Sequence, residues 1–246
     1  MAVATAIAEV SALILGLFLC YDCFKDNSWP SFQAIFSTER LKNMLSINLD
    51  IFFRSIMLQA ISVSFLLYGG KFGDVKLAAN QILLQFLHVA AHGLDGFAFA
   101  AETLVGQAFG RKDRTILRKS VKVTSKLAFL LCCTMAIIFF FIGSSLIDVM
   151  TTAEDVRSEA KGYIVFIVLV PILGASAYML DGIFVGAMKT KDMRNMMFIS
   201  VIFYFTALIL LVPHFENIGL WLALLISFVV RGVTLALRYP SLEKSI

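Results

Sequence analysis

The sequence predicts an all-α protein, a polytopic bundle of about seven transmembrane helices, and three observations predict it. Hydrophobic residues make up 59% of the 246 residues and the mean hydropathy is +0.86. That is more apolar surface than one core of this length hides, so lipid must cover the remainder. The apolar residues also fall into seven runs, at about 2–20, 47–69, 77–108, 122–147, 159–187, 192–212 and 218–237. A helix rising about 1.5 Å per residue needs roughly 20 residues to cross a hydrocarbon core of about 30 Å, and it satisfies its own backbone hydrogen bonds there.

The first run lacks a basic segment before Ala2 and is interrupted by Glu9, which sets it apart from a secretory signal and predicts a helix. The stretch 21–46 carries Asn27, Ser28, Trp29 and Pro30, then Glu39, Arg40 and Lys42, and reads as a linker with a short amphipathic piece. Cys20 and Cys23 have C-x-x-C spacing without the strand–helix context of a redox site or a second ligand pair for zinc. Together with Cys132 and Cys133 they are expected to fill membrane helices.

Loop charge gives an orientation. Arg111, Lys112, Arg114, Arg118, Lys119 and Lys122 follow the third run, and Lys189, Lys191 and Arg194 follow the fifth. The connection after the fourth run holds Asp148, Glu154 and Asp155 against Arg157, and the one after the sixth has no Lys or Arg. Lys and Arg mark the cytoplasmic side, so the linker 21–46 and the C-terminus are expected in the cytoplasm of a multi-pass plasma-membrane protein. The net charge of +4 is modest and is no argument for nucleic acid. An outside N-terminus that begins directly in an apolar run predicts the second part of a larger transporter, with one helix carried over from the first.

The third run carries the chemistry. Gln81, Gln85, His88, His92, Asp95 and Glu102 step by 4, 3, 4, 3 and 7 and share a stripe roughly 100° wide. Ionisable groups in a membrane helix are costly on a lipid face, so this row predicts a cavity or protein interior. Asp95 and Glu102 are candidate proton or cation sites, the histidines candidate relays, and Glu102 is also placed to pair with Arg111 or Arg114. Asp50 and Arg54, at i and i+4, suggest an ion pair within one helix, with Arg54 deep enough to reach an acid such as Asp95. In the fifth run Pro171 predicts a hinge, Tyr178 and Asp181 share a face, Lys189 is near enough to pair with Asp181, and Gly182 and Gly186 allow close helix approach.

No H-E-x-x-H, phosphate-binding loop or G-x-S-x-G occurs, so the sequence supports neither an ATP-driven pump nor a hydrolase, and no enzyme is expected. A retinal protein would need a lysine in 218–237, where there is none.

Three stretches resemble one family: Leu49-Asp50-Ile51-Phe52-Phe53-Arg54-Ser55, Gly73-Asp74-Val75-Lys76-Leu77-Ala78-Ala79-Asn80-Gln81, and the run Asp95-Gly96-Phe97-Ala98-Phe99-Ala100-Ala101-Glu102-Thr103-Leu104-Val105-Gly106-Gln107. They are similar to the DinF-type branch of the multidrug and toxic compound extrusion (MATE) transporters, as are Asp181 to Gly186, Lys191 to Asn195, Gly219 to Ala223 and Arg231-Gly232. The resemblance implies twelve helices in two six-helix bundles around a central cavity, and export of amphipathic or cationic compounds in exchange for H⁺ or Na⁺, with no other cofactor. It implies that 1–20 is the last helix of a first lobe, 21–46 a cytoplasmic linker and 47–246 the six-helix C-terminal lobe. The expected partners are the bilayer, a small-molecule substrate, and a separate N-terminal half or a second copy. In this branch the acid tied to proton coupling sits in the first bundle, so the resemblance assigns coupling to no residue here. The candidates for substrate or ion binding are Asp95, Asp181 and Arg54, supported by Glu102, Gln81, His92 and Tyr178. An inactive truncated transporter and a flippase for lipid-linked sugars are the alternatives.

Overall fold

The computed structural model describes residues 2–19, 21 and 37–246. Every long apolar run is helical, as a backbone in lipid requires. The helices are α1 (Ala2–Leu19), α2 (Thr38–Gly70), α3 (Asp74–Arg111), α4 (Arg114–Met150), α5 (Glu154–Gly162), α6 (Ile164–Gly186) and α7 (Thr190–Lys244). Among the described residues, five helices are long and apolar enough to cross a membrane, and α1 contributes a shorter apolar stretch, Thr5–Leu19. The chain is a multi-pass membrane protein. It divides into two compact units, Met1–Ser46 and Ile47–Ile246. Cys20, Cys23 and the stretch from Asn27 to Pro30 lie outside the described residues.

The longest helix contains two spans. Glu216 adopts φ 46 and ψ −124, close to the first central residue of a type II′ turn. A Cβ on Gly219 would overlap the carbonyl of Leu211, and the Ser200 hydroxyl donates to the Ser227 carbonyl at 2.7 Å. Residues eight apart on a straight helix are about 12 Å apart, so α7 is a hairpin whose arms, 190–215 and 217–244, run antiparallel. Pro213 and the turn at Glu216 supply the break that the sequence places between its sixth and seventh runs. Pro171, expected to hinge the fifth run, instead sits buried in a continuous α6. That run is also divided nearer its start than expected, because Tyr163 separates a short polar helix, α5, from α6. The second run begins earlier than expected, at Thr38.

Two apolar layers hold the second unit together. One gathers Phe65, Leu83, Phe139, Tyr204 and Trp221, with Trp221 stacked on Phe166 and edge-on to Phe65. The other gathers Leu94, Val105, Leu117, Phe184 and Leu235. At one end, α4 is capped by Asp113, whose carboxylate accepts from the amides of Thr115 and Ile116 at 2.8 and 3.1 Å. Arg118 pairs with Glu243 at the same end, joining α4 to the end of α7. At the other end, Lys161 pairs with Asp148 at 2.7 Å, and Lys76 on α3 with Glu216 at the hairpin turn at 2.8 Å.

Candidate functional site

Two of the charges buried in the second unit, Asp181 and Arg231, meet where its two layers join. Arg54 of α2 forms an ion pair with Asp181 of α6, and Arg231 of α7 brings Nε to 3.8 Å from the same carboxylate oxygen. Asp181 is 6% and Arg231 3% exposed. The Arg231 guanidinium also lies over the rings of Tyr178 and Phe228, at 5.3 and 5.4 Å, a placement that favours a cation. Arg54 therefore does reach an acid across the bundle, but the acid is Asp181 rather than Asp95. Asp181 turns into the lobe and not toward Lys189. Arg231 is the site residue that helix periodicity missed. It is the one charged side chain in 218–237, and that isolation in an apolar run was the available signal.

The local pair expected between Asp50 and Arg54 is absent, because each finds a partner on another helix. Asp50, 3% exposed, accepts from Arg194 at 2.6 Å and from the Thr190 hydroxyl at 3.0 Å. These contacts fasten the start of α7 to α2.

The polar row of α3 lies on the outer surface of this unit. Gln81, Gln85, His88 and His92 are exposed, and Asp95 and Glu102 are half-buried. The buried face of α3 is the opposite one, with Leu83, Leu94, Ala98 and Val105. His92 Nδ1 lies 2.6 Å from the His88 carbonyl one turn back, so its ring is held along its own helix. Glu102 makes no ion pair with Arg111 or Arg114 among the described residues, and Arg114 instead donates to the Lys244 carbonyl at 3.3 Å. Beside the row, a cavity of about 460 Å³ opens between α2, α3, α6 and α7, with Gln59, Ser62 and His88 among its lining and Arg231 and Tyr178 deeper in.

Close packing fixes the row relative to Asp181. A Cβ on Gly182 would overlap the Ala98 carbonyl, and one on Gly186 the Glu102 carbonyl. This is the close approach that small-xxx-small spacing provides.

A second buried polar group, unnoticed in the sequence, ties α3 to the α7 hairpin. Asn80 Nδ2 donates to Asn217 Oδ1 at 2.7 Å, Asn217 returns the bond at 3.1 Å, and Trp221 Nε1 donates to Asn80 Oδ1 at 3.0 Å. All three are fully buried. Next to it and outside the spans, burial pushes the Tyr163 phenol above its usual range, opposed by a hydrogen bond with Asn217. That phenol stays neutral at physiological pH. No cluster of three or more metal-ligating side chains occurs among the described residues.

The MatE family model matches residues 51–210 of this arrangement. The chain belongs to the MatE family. It is 30% identical over 237 residues to the DNA damage-inducible protein F of Escherichia coli K12, a match covering 96% of this chain and 51% of that protein. The structure is similar to the crystal structure of the Vibrio cholerae MATE transporter VcmN in its bent form, with a TM-score of 0.82 at 17% identity, over 98% of this chain and 56% of VcmN. It is also similar to the eukaryotic MATE transporter AtDTX14, with a TM-score of 0.81 at 16% identity, over 96% of this chain and 54% of that one. The chain thus spans about half the length of the relatives it matches. Within this MatE fold, the Arg54–Asp181–Arg231 group sits inside the lobe and the α3 row on its surface.

Proposed function

We propose that this chain supplies half of a cation-coupled antiporter, driven by H⁺ or Na⁺, which exports amphipathic compounds across the plasma membrane. The observation that carries the reading is the row on α3. A membrane helix that packs its apolar face inward and leaves two glutamines, two histidines and two carboxylates on the outside needs a wet surface there, since charged side chains are costly against lipid. A complementary first lobe, on a separate chain or a second copy, encloses that surface as a cavity. Half-length coverage of the relatives supports this reading.

Asp95 is the acid at this surface that is positioned to bind a proton, a sodium ion or a cationic substrate, with Gln81, His92 and Glu102 lining the path. Asp181 contributes through Arg54 and Arg231 and not as a free acid. Tyr178 connects the two regions. The basic end of the bundle, carrying Arg111, Lys112, Lys189 and Lys191, lies in the cytoplasm under this reading.

Dye efflux from cells lacking their own exporters tests it. Cells expressing this chain together with a MATE-type N-terminal half should clear a fluorescent amphipathic dye, and Asp95→Asn should lower the rate at least tenfold. Unchanged efflux in Asp95→Asn removes Asp95 from the site, and efflux from the chain alone overturns the need for a separate N-terminal half.

A further inference from the structure

Arg231 carries more hydrogen-bonding capacity than the protein uses. Among the described residues its Nε and Nη2 have no hydrogen-bond acceptor, and its Nη1 has the Met197 sulfur at 3.9 Å as its hydrogen-bond partner. The nearest carboxylate, Asp181, is already engaged by Arg54. Two cations share one acid, so Arg231, 3% exposed, has no hydrogen-bonded carboxylate of its own in a region where an unsatisfied charge is costly. Asp95, the next acid along this face, makes no ion pair with either arginine among the described residues.

The same arginine lines the cavity of about 460 Å³ whose other walls are largely apolar, with Gln59, Ser62 and His88 exposed at its rim. The Tyr178 and Phe228 rings, which line the same cavity, lie against the guanidinium. Nε and Nη2 are themselves buried, so an occupant engages them only if the Tyr178 or Phe228 ring turns aside. A guanidinium fork with free donors matches an oxyanion, and apolar walls match the body that carries it.

We propose that this cavity binds the oxyanion head of an amphipathic compound, a carboxylate, sulfonate or phosphate on an apolar body, with Arg231 taking the head. The proposal goes beyond the export reading, because it concerns binding and is measured without transport.

The test is isothermal titration calorimetry on the full chain in phosphatidylcholine nanodiscs, with naphthalene-2-sulfonate and 2-naphthyltrimethylammonium as probes of one shape and opposite charge. The sulfonate should bind at least tenfold more tightly than the ammonium. Arg231→Met, which keeps the Arg54–Asp181 pair, should weaken the sulfonate at least tenfold and leave the ammonium unchanged. Asp181→Asn, which keeps an acceptor oxygen but removes the competing charge, should strengthen the sulfonate at least threefold, a gain that a purely structural role for Arg231 does not produce. If Arg231→Met does not fold, Arg231→Lys and Asp181→Asn decide the matter. Equal affinity for the two probes, or sulfonate binding indifferent to both the Arg231 and Asp181 changes, overturns the proposal. Adding phosphatidylglycerol to the discs separates the sources: competition assigns the site to a lipid headgroup and no competition to a dissolved solute, and either result upholds the oxyanion site.

Discussion

Two buried polar groups of this lobe solve the same problem differently. Asn80, Asn217 and Trp221 are neutral, and their amides pair reciprocally with the indole N–H added. Arg54, Asp181 and Arg231 are charged, yet among the described residues Arg54 Nε, Asp181 Oδ1 and two Arg231 nitrogens have no hydrogen-bond partner. Both groups link helices distant in sequence. A fully paired neutral network specifies packing and has nothing left to offer a ligand. An incompletely paired charged group costs the fold free energy and holds donors in reserve. The contrast sets the first apart as a packing latch and leaves the second as the group on which the proposed oxyanion site rests.

That contrast can be broken by mutation. The largest effect is expected from Asp181→Leu, which leaves the buried Arg231 and the half-buried Arg54 without their acid and should destabilise the protein by about 3–5 kcal/mol. Thermal unfolding in detergent measures this. If the charges serve function rather than folding, replacing all three together, Arg54→Met with Asp181→Leu and Arg231→Met, should return stability to within about 1 kcal/mol of wild type while abolishing anion binding. Asn80→Leu should cost about 1–3 kcal/mol by stranding the Asn217 amide and the Trp221 N–H, with no change in probe binding. Loss of binding in that variant would erase the distinction between latch and site. Gly182→Ala should cost about 1–3 kcal/mol, because the new methyl meets the Ala98 backbone instead of a movable side chain. The smallest effect, of opposite sign, is expected at the hairpin turn. Glu216→Gly relieves a left-handed backbone and should stabilise by about 1 kcal/mol, with only the exposed Lys76 pair lost. Melting temperature reports both.

The helices were legible because lipid imposes one rule on every span, and hydropathy reads that rule directly. The α7 break was legible too, since Pro213 and Gly219 bracket a short polar interruption. Partners were harder. Helical periodicity shows which residues share a face and not which helix that face meets, so Asp50 and Arg54 suggested each other while their partners were Arg194 and Asp181, well over a hundred residues away. The α3 row was legible as a row, and its outward direction became clear only once Leu83, Leu94 and Ala98 were seen to pack inward. Asn80 and Asn217 gave little warning, because a lone asparagine near the end of an apolar run is compatible with a loop or a cap.

The glycine contacts between α3 and α6 have a mechanical consequence. With backbone resting on backbone at Gly182 and Gly186, α3 and α6 are held in close register, which sets the spacing between Asp181 and the α3 row. Arg54 and Arg231 arrive on α2 and the second arm of α7, and that arm is itself packed closely on α6, where a Cβ on Gly232 would overlap the Ser176 side chain. The carboxylate of Asp181 is thus the point at which side chains from α2 and from the end of the α7 hairpin are gathered onto a pair of helices locked backbone to backbone.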